Sequence, residues 1–270
     1  PEEAKKIARH SPLVALVHHP LALETGLSPA DAGKLCESER TALAAARAII
    51  VTSPSTGRLL GEDYGVPPRS ITVALPGTDR AAPAKGSTNG TVQLLSVGAV
   101  VPRKGFDILI TALAPLAELK WRLTIAGDLT RDFVTAAKLQ AEIAQHKLTG
   151  HIDLLGAVPH EQLASLYSSA DVFVLASHFE GYGMAYAEAM AHGLPIIGTT
   201  GGAIVDTVPP NAGVLVEPGN MKALTCALRM LIANEKERRL FASGALAAST
   251  GLPTWQGTAK IVAAVLEGLA

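Results

Sequence analysis

Short apolar runs rich in β-branched residues alternate along the chain with longer segments in which apolar residues recur at helical spacing. Such a short run is typical of a strand that is buried on both faces of a parallel sheet. The alternation is most regular after residue 91. The predicted strands cover residues 13–18, 48–52, 71–75, 92–97, 122–126, 152–155, 171–176, 195–199 and 213–216.

The segments between these strands predict helices, several of which begin or end at Pro or Gly. Ser53 followed by Pro54, for example, is a favourable pair for a helix start. Alternating strands and helices predict an α/β fold with a doubly wound parallel sheet that binds its ligand at the carboxyl ends of the strands. The predicted helices cover residues 1–10, which are the tail of a helix, and residues 30–46, 53–63, 106–119, 133–147, 161–168, 184–192, 221–234, 237–248 and 255–267.

The segment APAKGSTNG at residues 82–90 has the composition of a linker and predicts a domain boundary. We therefore expect a first domain at residues 1–82, a linker at 83–90, a second domain at 91–250 and a final helix at 251–270. The first ninety residues hold two good strands and a short one, too few for a complete α/β domain. The final helix could cross back to the first domain.

Composition narrows the class of protein. The chain has 270 residues, a net charge of −1 and 48% hydrophobic residues, which predicts a soluble globular protein. An aromatic content of 4% and the near-zero charge give no support for a nucleic-acid partner. Cys36 and Cys226 lack metal-ligand spacing and are expected to be reduced thiols. With no membrane-spanning run or signal peptide, the expected location is the cytoplasm.

The stretch SHFEGYGMAYAEAMAHGLP, residues 177–195, carries the strongest chemical signal. A buried strand, a loop with Gly181 and Gly183 and a helix follow one another, which places free amides and the positive end of a helix dipole at the sheet edge. This arrangement suits phosphate. Glu180 lies in the loop and Glu188 in the helix, where a carboxylate needs hydrogen-bond donors. Taken by itself, Glu188 is best explained as a structural carboxylate.

The run EGYGMAYAEAMAHGLP resembles the E-x7-E signature of retaining glycosyltransferases with the GT-B fold, of the family-four type. The resemblance implies that Glu180 lies beside the sugar and its phosphates and that Glu188 accepts hydrogen bonds from the nucleotide ribose. The remaining residues implied to line the donor site in this stretch are Gly181, Tyr182, Gly183 and Met184. The implied fold is a complete carboxy-terminal Rossmann-like domain and a partial amino-terminal Rossmann-like domain.

A second element, SVGAVVPRKG at residues 96–105, follows a predicted strand. It resembles the family's G-R-x4-K-G element, whose Arg and Lys hold the donor pyrophosphate, with Gly98 at the strand end. Ala99 replaces the family's arginine, so Arg103 is expected to supply that charge beside Lys104. Read without the family, Arg103 and Lys104 are two solvated cations at a turn.

Weaker matches complete the donor site. Gly127 ends a predicted strand, at a point where the backbone would approach a ligand. Ala157 and Val158 lie in a turn that resembles the family's base-binding turn, in which main-chain groups contact the nucleotide base. The run GGAIVD resembles the family's G-G-x-x-P-E element, with Val205 in place of the proline and Asp206 in place of the glutamate; without the family, it is explained as a simple connection. His18 ends a strand at the place where this family often has a histidine near the transferred sugar; without the family, His18 and His19 are equally well explained as a surface pair.

The resemblance implies transfer of a hexose from a UDP- or GDP-sugar to an alcohol acceptor such as a glycan or a lipid-linked glycan, with attack on the face that the diphosphate leaves. Arg, Lys and a helix dipole would stabilise the leaving group without a metal or other cofactor. Two alternatives stay open: a nucleotide-binding module without turnover, and a GT-B nucleotide-sugar epimerase.

The resemblance also implies that most of the amino-terminal acceptor domain is missing from the sequence. A half-sheet would expose an apolar edge, so we expect contacts with a partner chain, and an oligomer through the exposed amino-terminal elements is one form they could take. Through the missing amino-terminal half, the protein could also make peripheral contact with the inner face of a membrane.

Overall fold

The computed structural model describes residues 1–269 and divides them into two compact units. The first unit contains residues 1–78, residues 180–182 and the residues from 253 onward, and the second unit contains residues 79–179 and 183–252. None of the helices among the described residues has the length and hydrophobicity needed to traverse a lipid bilayer.

The amino-terminal part of the first unit is a parallel sheet of three strands in the order β1-β2-β3, with helices between them. Serine caps with a following proline start two of the helices: the Ser28 hydroxyl accepts from the Asp31 amide, and the Ser53 hydroxyl accepts from the Thr56 amide. The elements are α1 (Glu2–Ala8), β1 (Val14–Val17), α2 (Pro29–Ala44), β2 (Ala48–Val51), α3 (Pro54–Tyr64) and β3 (Ile71–Val73).

The second unit is a parallel sheet of six strands in the order β6-β5-β4-β7-β8-β9, covered by helices. Helix α4 packs against α5 and α9, whereas α7 packs against α10. The elements are β4 (Val92–Val97), α4 (Phe106–Leu113), β5 (Trp121–Ala126), α5 (Phe133–Gln145), β6 (Ile152–Gly156), α6 (His160–Ser169), β7 (Val172–Val174), α7 (Met184–Ala191), β8 (Ile196–Thr199), α8 (Ile204–Thr207), β9 (Gly213–Val216), α9 (Met221–Ala233) and α10 (Glu235–Ser249).

The strand order reverses between β4 and β7. The chain builds the sheet outward from β4 through β5 to β6, and then returns to the other side of β4 to add β7, β8 and β9. Loops leave the carboxyl ends of β4 and β7 at this reversal, and in doubly wound sheets this crevice is where ligands bind. All three residues of β7 are buried, as are four of the six residues of β4, and Leu94 of β4 is paired to Val172 of β7.

A last helix, α11 (Trp255–Glu267), belongs to the first unit. The Thr258 hydroxyl donates to the Leu75 carbonyl over 2.6 Å, and the Thr78 amide donates to the Pro253 carbonyl over 2.8 Å. A side chain at Gly77 would overlap the backbone of Trp255. The first unit is therefore assembled from residues at both ends of the sequence.

Residues 83–90, which the sequence predicts to be a linker, are attached to the second unit. The amides of Lys85 and Gly86 donate to the Ser168 carbonyl at the end of α6, over 2.8 and 3.3 Å. The Asp171 carboxylate accepts from the Ser87 amide at 3.0 Å. In the structure, the boundary between the first unit and the second lies after residue 78.

Several elements differ in length from the sequence expectation. Helix α4 ends at Leu113 instead of continuing to residue 119, because Pro115 cannot donate an amide and the chain tightens into a 3-10 turn over Ala114–Leu116. Strand β7 is limited to Val172–Val174. Residues 204–207, expected in a loop, form the short helix α8.

We expect Gly127→Ala to lower the free energy of unfolding of the second unit by about 3 kcal/mol. Gly127 follows β5, and a methyl group there would overlap the carbonyl oxygen of Gly98 after β4, where both backbones are fixed by the sheet. Urea unfolding followed by the fluorescence of Trp121, which is buried in β5, measures the change in a Trp255→Phe background.

Gly150→Ala is the matched control, because a methyl group there meets no atom within 4 Å. Its unfolding free energy should stay within about 0.5 kcal/mol of the parent. Equal midpoints for the two variants would show that the loops can separate without cost.

Candidate functional site

The loops that leave β4, β5 and β6 are joined by backbone hydrogen bonds at the carboxyl edge of the sheet. The Gly98 amide donates to the Ala126 carbonyl over 3.0 Å, and the Gly127 amide donates to the Gly156 carbonyl over 2.9 Å. Three of the predicted donor-site segments, at residues 98, 127 and 156–158, therefore lie side by side. Ala157 is exposed and Val158 partly exposed beyond β6.

Lys104 lies over the end of β4. A Cβ atom at Gly98 would be 3.2 Å from Lys104 Cε and 3.5 Å from Nζ, so the lysine side chain occupies the space that a larger residue at position 98 would need. This contact brings the ammonium group to the strand end, where the sequence predicts a diphosphate. Lys104 is partly buried.

Arg103 is attached to the loop that follows β7. Its Nη1 donates to the Phe179 carbonyl over 2.6 Å, and its own carbonyl accepts from the His178 amide at 2.8 Å. The sequence predicts a diphosphate ligand for Arg103. In the structure, the hydrogen bonds of Arg103 also hold residues 178 and 179 in place.

The loops after β4 and β7 also meet through backbone. Gly105 has φ +62°, and a side chain there would overlap the Ala176 carbonyl. The Thr199 hydroxyl at the end of β8 donates to the Ser177 carbonyl over 2.5 Å, which extends the contact to a third loop. Asp206, the residue of the predicted glycine-rich element, lies in the first turn of α8 beyond this loop.

No side chain among the described residues caps the start of helix α7. Gly183 is its N-cap residue in the left-handed region, with φ +89°, and its carbonyl accepts from the amides of Tyr186 and Ala187. The amides of Met184 and Ala185 have no hydrogen-bond acceptor within residues 1–269. Met184 is 43% exposed, so this helix start is open to a ligand and offers two amides and the positive end of the helix dipole.

Glu188 lies in the middle of α7 and is partly buried. Its Oε2 accepts a hydrogen bond of 2.8 Å from the Tyr167 hydroxyl, whereas Oε1 has no hydrogen-bond partner among the described residues. Burial raises the pKa of Glu188, and the hydrogen bond from Tyr167 acts in the opposite direction. Burial, with the nearby Glu188 charge, raises the pKa of Tyr167 well above its usual value.

The remaining predicted site residues belong to the first unit. Glu180 is buried, and the Gly181 carbonyl accepts a 3.4 Å hydrogen bond from the Thr56 hydroxyl. A side chain at Gly181 would overlap the carbonyl of His18, so the end of β1 lies directly against the start of the E-x7-E run. Tyr182 forms a hydrogen bond with the Thr78 side chain, and burial raises the pKa of the Tyr182 hydroxyl.

Sequence reasoning missed Tyr167 as the partner of Glu188. The two residues lie 21 positions apart on different helices, and no spacing rule connects them. The loop contact of Thr199 was also missed. Within residues 1–269, no group of three or more His, Cys, Asp and Glu side chains is placed to hold a metal ion.

A cavity of about 440 Å³ lies at the opposite edge of the same sheet, at the amino ends of β4, β7 and β8. Its lining includes Lys85, Asp171, Glu235 and Arg238. The Asp171 carboxylate accepts from two backbone amides, and Arg238 Nη1 donates to two carbonyls at the end of α9. These polar groups serve the local fold, and the cavity is separate from the candidate site.

Residues 78–246 match the model of the glycosyl transferases group 1 family. The match spans more than half of the chain, and the chain belongs to this family. The family prediction made from the E-x7-E run is confirmed.

Curated relatives include the MMP alpha-(1->4)-mannosyltransferase of Mycolicibacterium hassiacum, which is 28% identical over 95% of this chain and 65% of its own length. The mannosylfructose-phosphate synthase of Agrobacterium fabrum is 29% identical over 82% of this chain and 52% of its own length. This chain thus spans between half and two thirds of the length of these relatives.

Solved structures share the fold. The sucrose-phosphate synthase of Thermosynechococcus elongatus superposes with a TM-score of 0.83 at 23% identity, over 95% of this chain and 67% of its own. Anabaena HepE in complex with UDP and glucose superposes with a TM-score of 0.80 at 19% identity, over 96% and 72%. The predicted α/β fold class of the GT-B type is confirmed.

We expect Arg103→Ala to accelerate amide hydrogen exchange at residues 177–179 roughly tenfold, because the guanidinium bond to Phe179 contributes about 1–2 kcal/mol to keeping this loop closed. The measurement is hydrogen exchange read by mass spectrometry on peptides that cover the loop.

Arg122→Ala removes the same side chain from the surface, where Arg122 pairs with Asp153 over 2.8 Å. It should leave exchange at residues 177–179 unchanged. If Arg103→Ala also leaves that exchange unchanged, then Arg103 does not hold the loop.

Proposed function

We propose that this chain contains the donor-binding part of a retaining glycosyltransferase that transfers a hexose from a UDP- or GDP-sugar to an alcohol acceptor. One observation carries the proposal: within residues 1–269, Glu188 Oε1 has no hydrogen-bond partner, and the first two amides of the same helix have no acceptor. A carboxylate suits the hydroxyls of a ribose, and amides at a helix start suit a phosphate.

The diphosphate would lie between the loop after β4 and the start of α7. Lys104 Nζ is held at the end of β4, and the amides of Met184 and Ala185 open the helix. As the bond between the sugar and the diphosphate breaks, negative charge grows on the leaving oxygen. Fixed positive groups stabilise this charge more than they stabilise the bound donor, and this difference lowers the barrier.

Residues of the first unit complete the proposal. Glu180 would position the sugar and phosphate, as the family resemblance implies, and His18 would lie near the transferred sugar. In the first unit the backbone of His18 packs against Gly181, the neighbour of Glu180. The acceptor hydroxyl would attack the face that the diphosphate leaves, which retains the configuration of the sugar.

The names of the relatives guide the choice of substrates to be tested. One is named a mannosyltransferase, one a mannosylfructose-phosphate synthase, and others D-inositol 3-phosphate glycosyltransferase. Two structural neighbours are described with UDP. The donors to test first are therefore GDP-mannose and UDP-glucose, with small polyols, sugar phosphates and lipid-linked glycans as acceptors.

A second candidate function is nucleotide binding without turnover by this chain alone. It is favoured by the share of the relatives' length that the chain spans, between half and two thirds. Binding of a nucleoside diphosphate with no transfer of labelled sugar to any acceptor would support it. Transfer of labelled sugar to an acceptor would instead support the glycosyltransferase.

We expect one of UDP, GDP and ADP to bind in a calorimetric titration, and both Glu188→Ala and Lys104→Ala to weaken binding about tenfold or more. Each variant loses a hydrogen bond to a charged group, which contributes about 1.5–3 kcal/mol. The titration also identifies the base.

Lys120→Ala is the matched control, because Lys120 is exposed and precedes β5 at the amino edge of the sheet. It should bind the nucleotide as the parent does. If no nucleotide binds the parent chain, or if Glu188→Ala and Lys104→Ala bind as tightly as the parent, the proposed donor site is wrong.

A further inference from the structure

The Tyr167 hydroxyl has one hydrogen to donate, and the geometry assigns it to Glu188. Glu188 Oε2 lies 2.8 Å from the hydroxyl oxygen, whereas the alternative acceptor, the Ala185 carbonyl, lies at 3.4 Å. The shorter contact also ends on a carboxylate, the stronger acceptor. The bond therefore joins α6 to α7 at the residue that the proposed function assigns to the ribose.

The tyrosine ring is held on both sides. It is 2% exposed, and it stacks on His192 with centroids 5.1 Å apart and planes within 9°. On the core side it packs against Phe173 at 6.3 Å. A ring fixed in this way cannot follow the carboxylate into other rotamers, so the hydroxyl sets the position of Glu188.

We propose that Tyr167 is a positioning residue, which holds one carboxylate oxygen of Glu188 and thereby presents the other to the ribose diol of the nucleotide. The inference rests on the proposed function. Oε2 is occupied by Tyr167, and Oε1 has no partner within residues 1–269. The ribose hydroxyls are the donors that complete this carboxylate, and a ligand without one of them leaves it incompletely bonded.

The ionisation of Glu188 gives a second, independent readout. Burial raises its pKa, the Tyr167 hydrogen bond and His160 lower it, and Asp79 raises it. Because the pKa is raised, the carboxyl takes up a proton at a higher pH than an exposed glutamate does, and it then loses acceptor capacity. Nucleotide affinity should fall as the pH decreases through this pKa.

The test compares Tyr167→Phe with the parent in titrations with UDP and 2′-deoxy-UDP, or with the GDP pair if GDP is the nucleotide that binds. We expect Tyr167→Phe to weaken UDP binding about 3- to 10-fold and to reduce the preference for the ribose form. Glu188→Ala should abolish that preference, and the double variant should bind no more weakly than Glu188→Ala alone.

Tyr186→Phe is the matched control. It removes a hydroxyl that is equally buried but donates to the Leu175 carbonyl over 2.7 Å, away from Glu188. This variant should keep the parent's ratio of UDP to 2′-deoxy-UDP affinities, even if its melting temperature falls. A merely structural role for Tyr167 would give the same result as the control.

The pH dependence of nucleotide affinity also distinguishes a positioning role of Tyr167 from a structural one. In Tyr167→Phe the loss of a bond to the ionised carboxylate raises the pKa of Glu188 further, so the fall in affinity should begin at a higher pH than in the parent. If the parent binds and Glu188→Ala weakens binding, but Tyr167→Phe changes neither the ribose preference nor the profile, this inference is wrong and the proposed function stands. If the parent binds no nucleotide, both are wrong.

Discussion

Backbone lies directly against backbone at the carboxyl edge of the six-stranded sheet, and the candidate site depends on this close approach. Gly127 contacts the carbonyl of Gly98, and Gly105 contacts the carbonyl of Ala176. Side chains at these positions would push apart the loops that follow β4, β5 and β7. The reversal of strand order creates the crevice, and the absence of two side chains keeps it narrow.

Much of this fold could be predicted from the sequence because buried parallel strands are short and apolar, and breakers separate them. The site could be predicted only in part. Glu180 and Glu188 follow from a local spacing, but the bond from Tyr167 to Glu188 joins residues 21 positions apart on two helices. The attachment of Arg103 to Phe179 spans 76 positions and depends on two loops that meet only after the sheet has formed. The end of α4 at Leu113 depends on Pro115, which is visible in the sequence, but the apolar spacing continues past this residue and predicts a longer helix.

Glu188 illustrates how stability and binding compete in the second unit. A carboxylate in a helix surrounded by apolar residues costs free energy, and a single tyrosine hydroxyl recovers part of it. A second internal donor would stabilise the chain further, but it would occupy the oxygen on which the proposed ribose contact depends. In the proposed function, this incomplete bonding leaves Glu188 preorganised for its ligand.

The placement of α11 has a consequence for the order in which the chain can fold during synthesis. The bond from Thr258 to Leu75 closes a separation of 183 residues, and the entire second unit is translated between the two partners. The second unit is nearly continuous in sequence and can become compact as it leaves the ribosome. Strands β1, β2 and β3 of the first unit are therefore synthesised long before α11, and the first unit can be completed only after the residues of α11 have emerged.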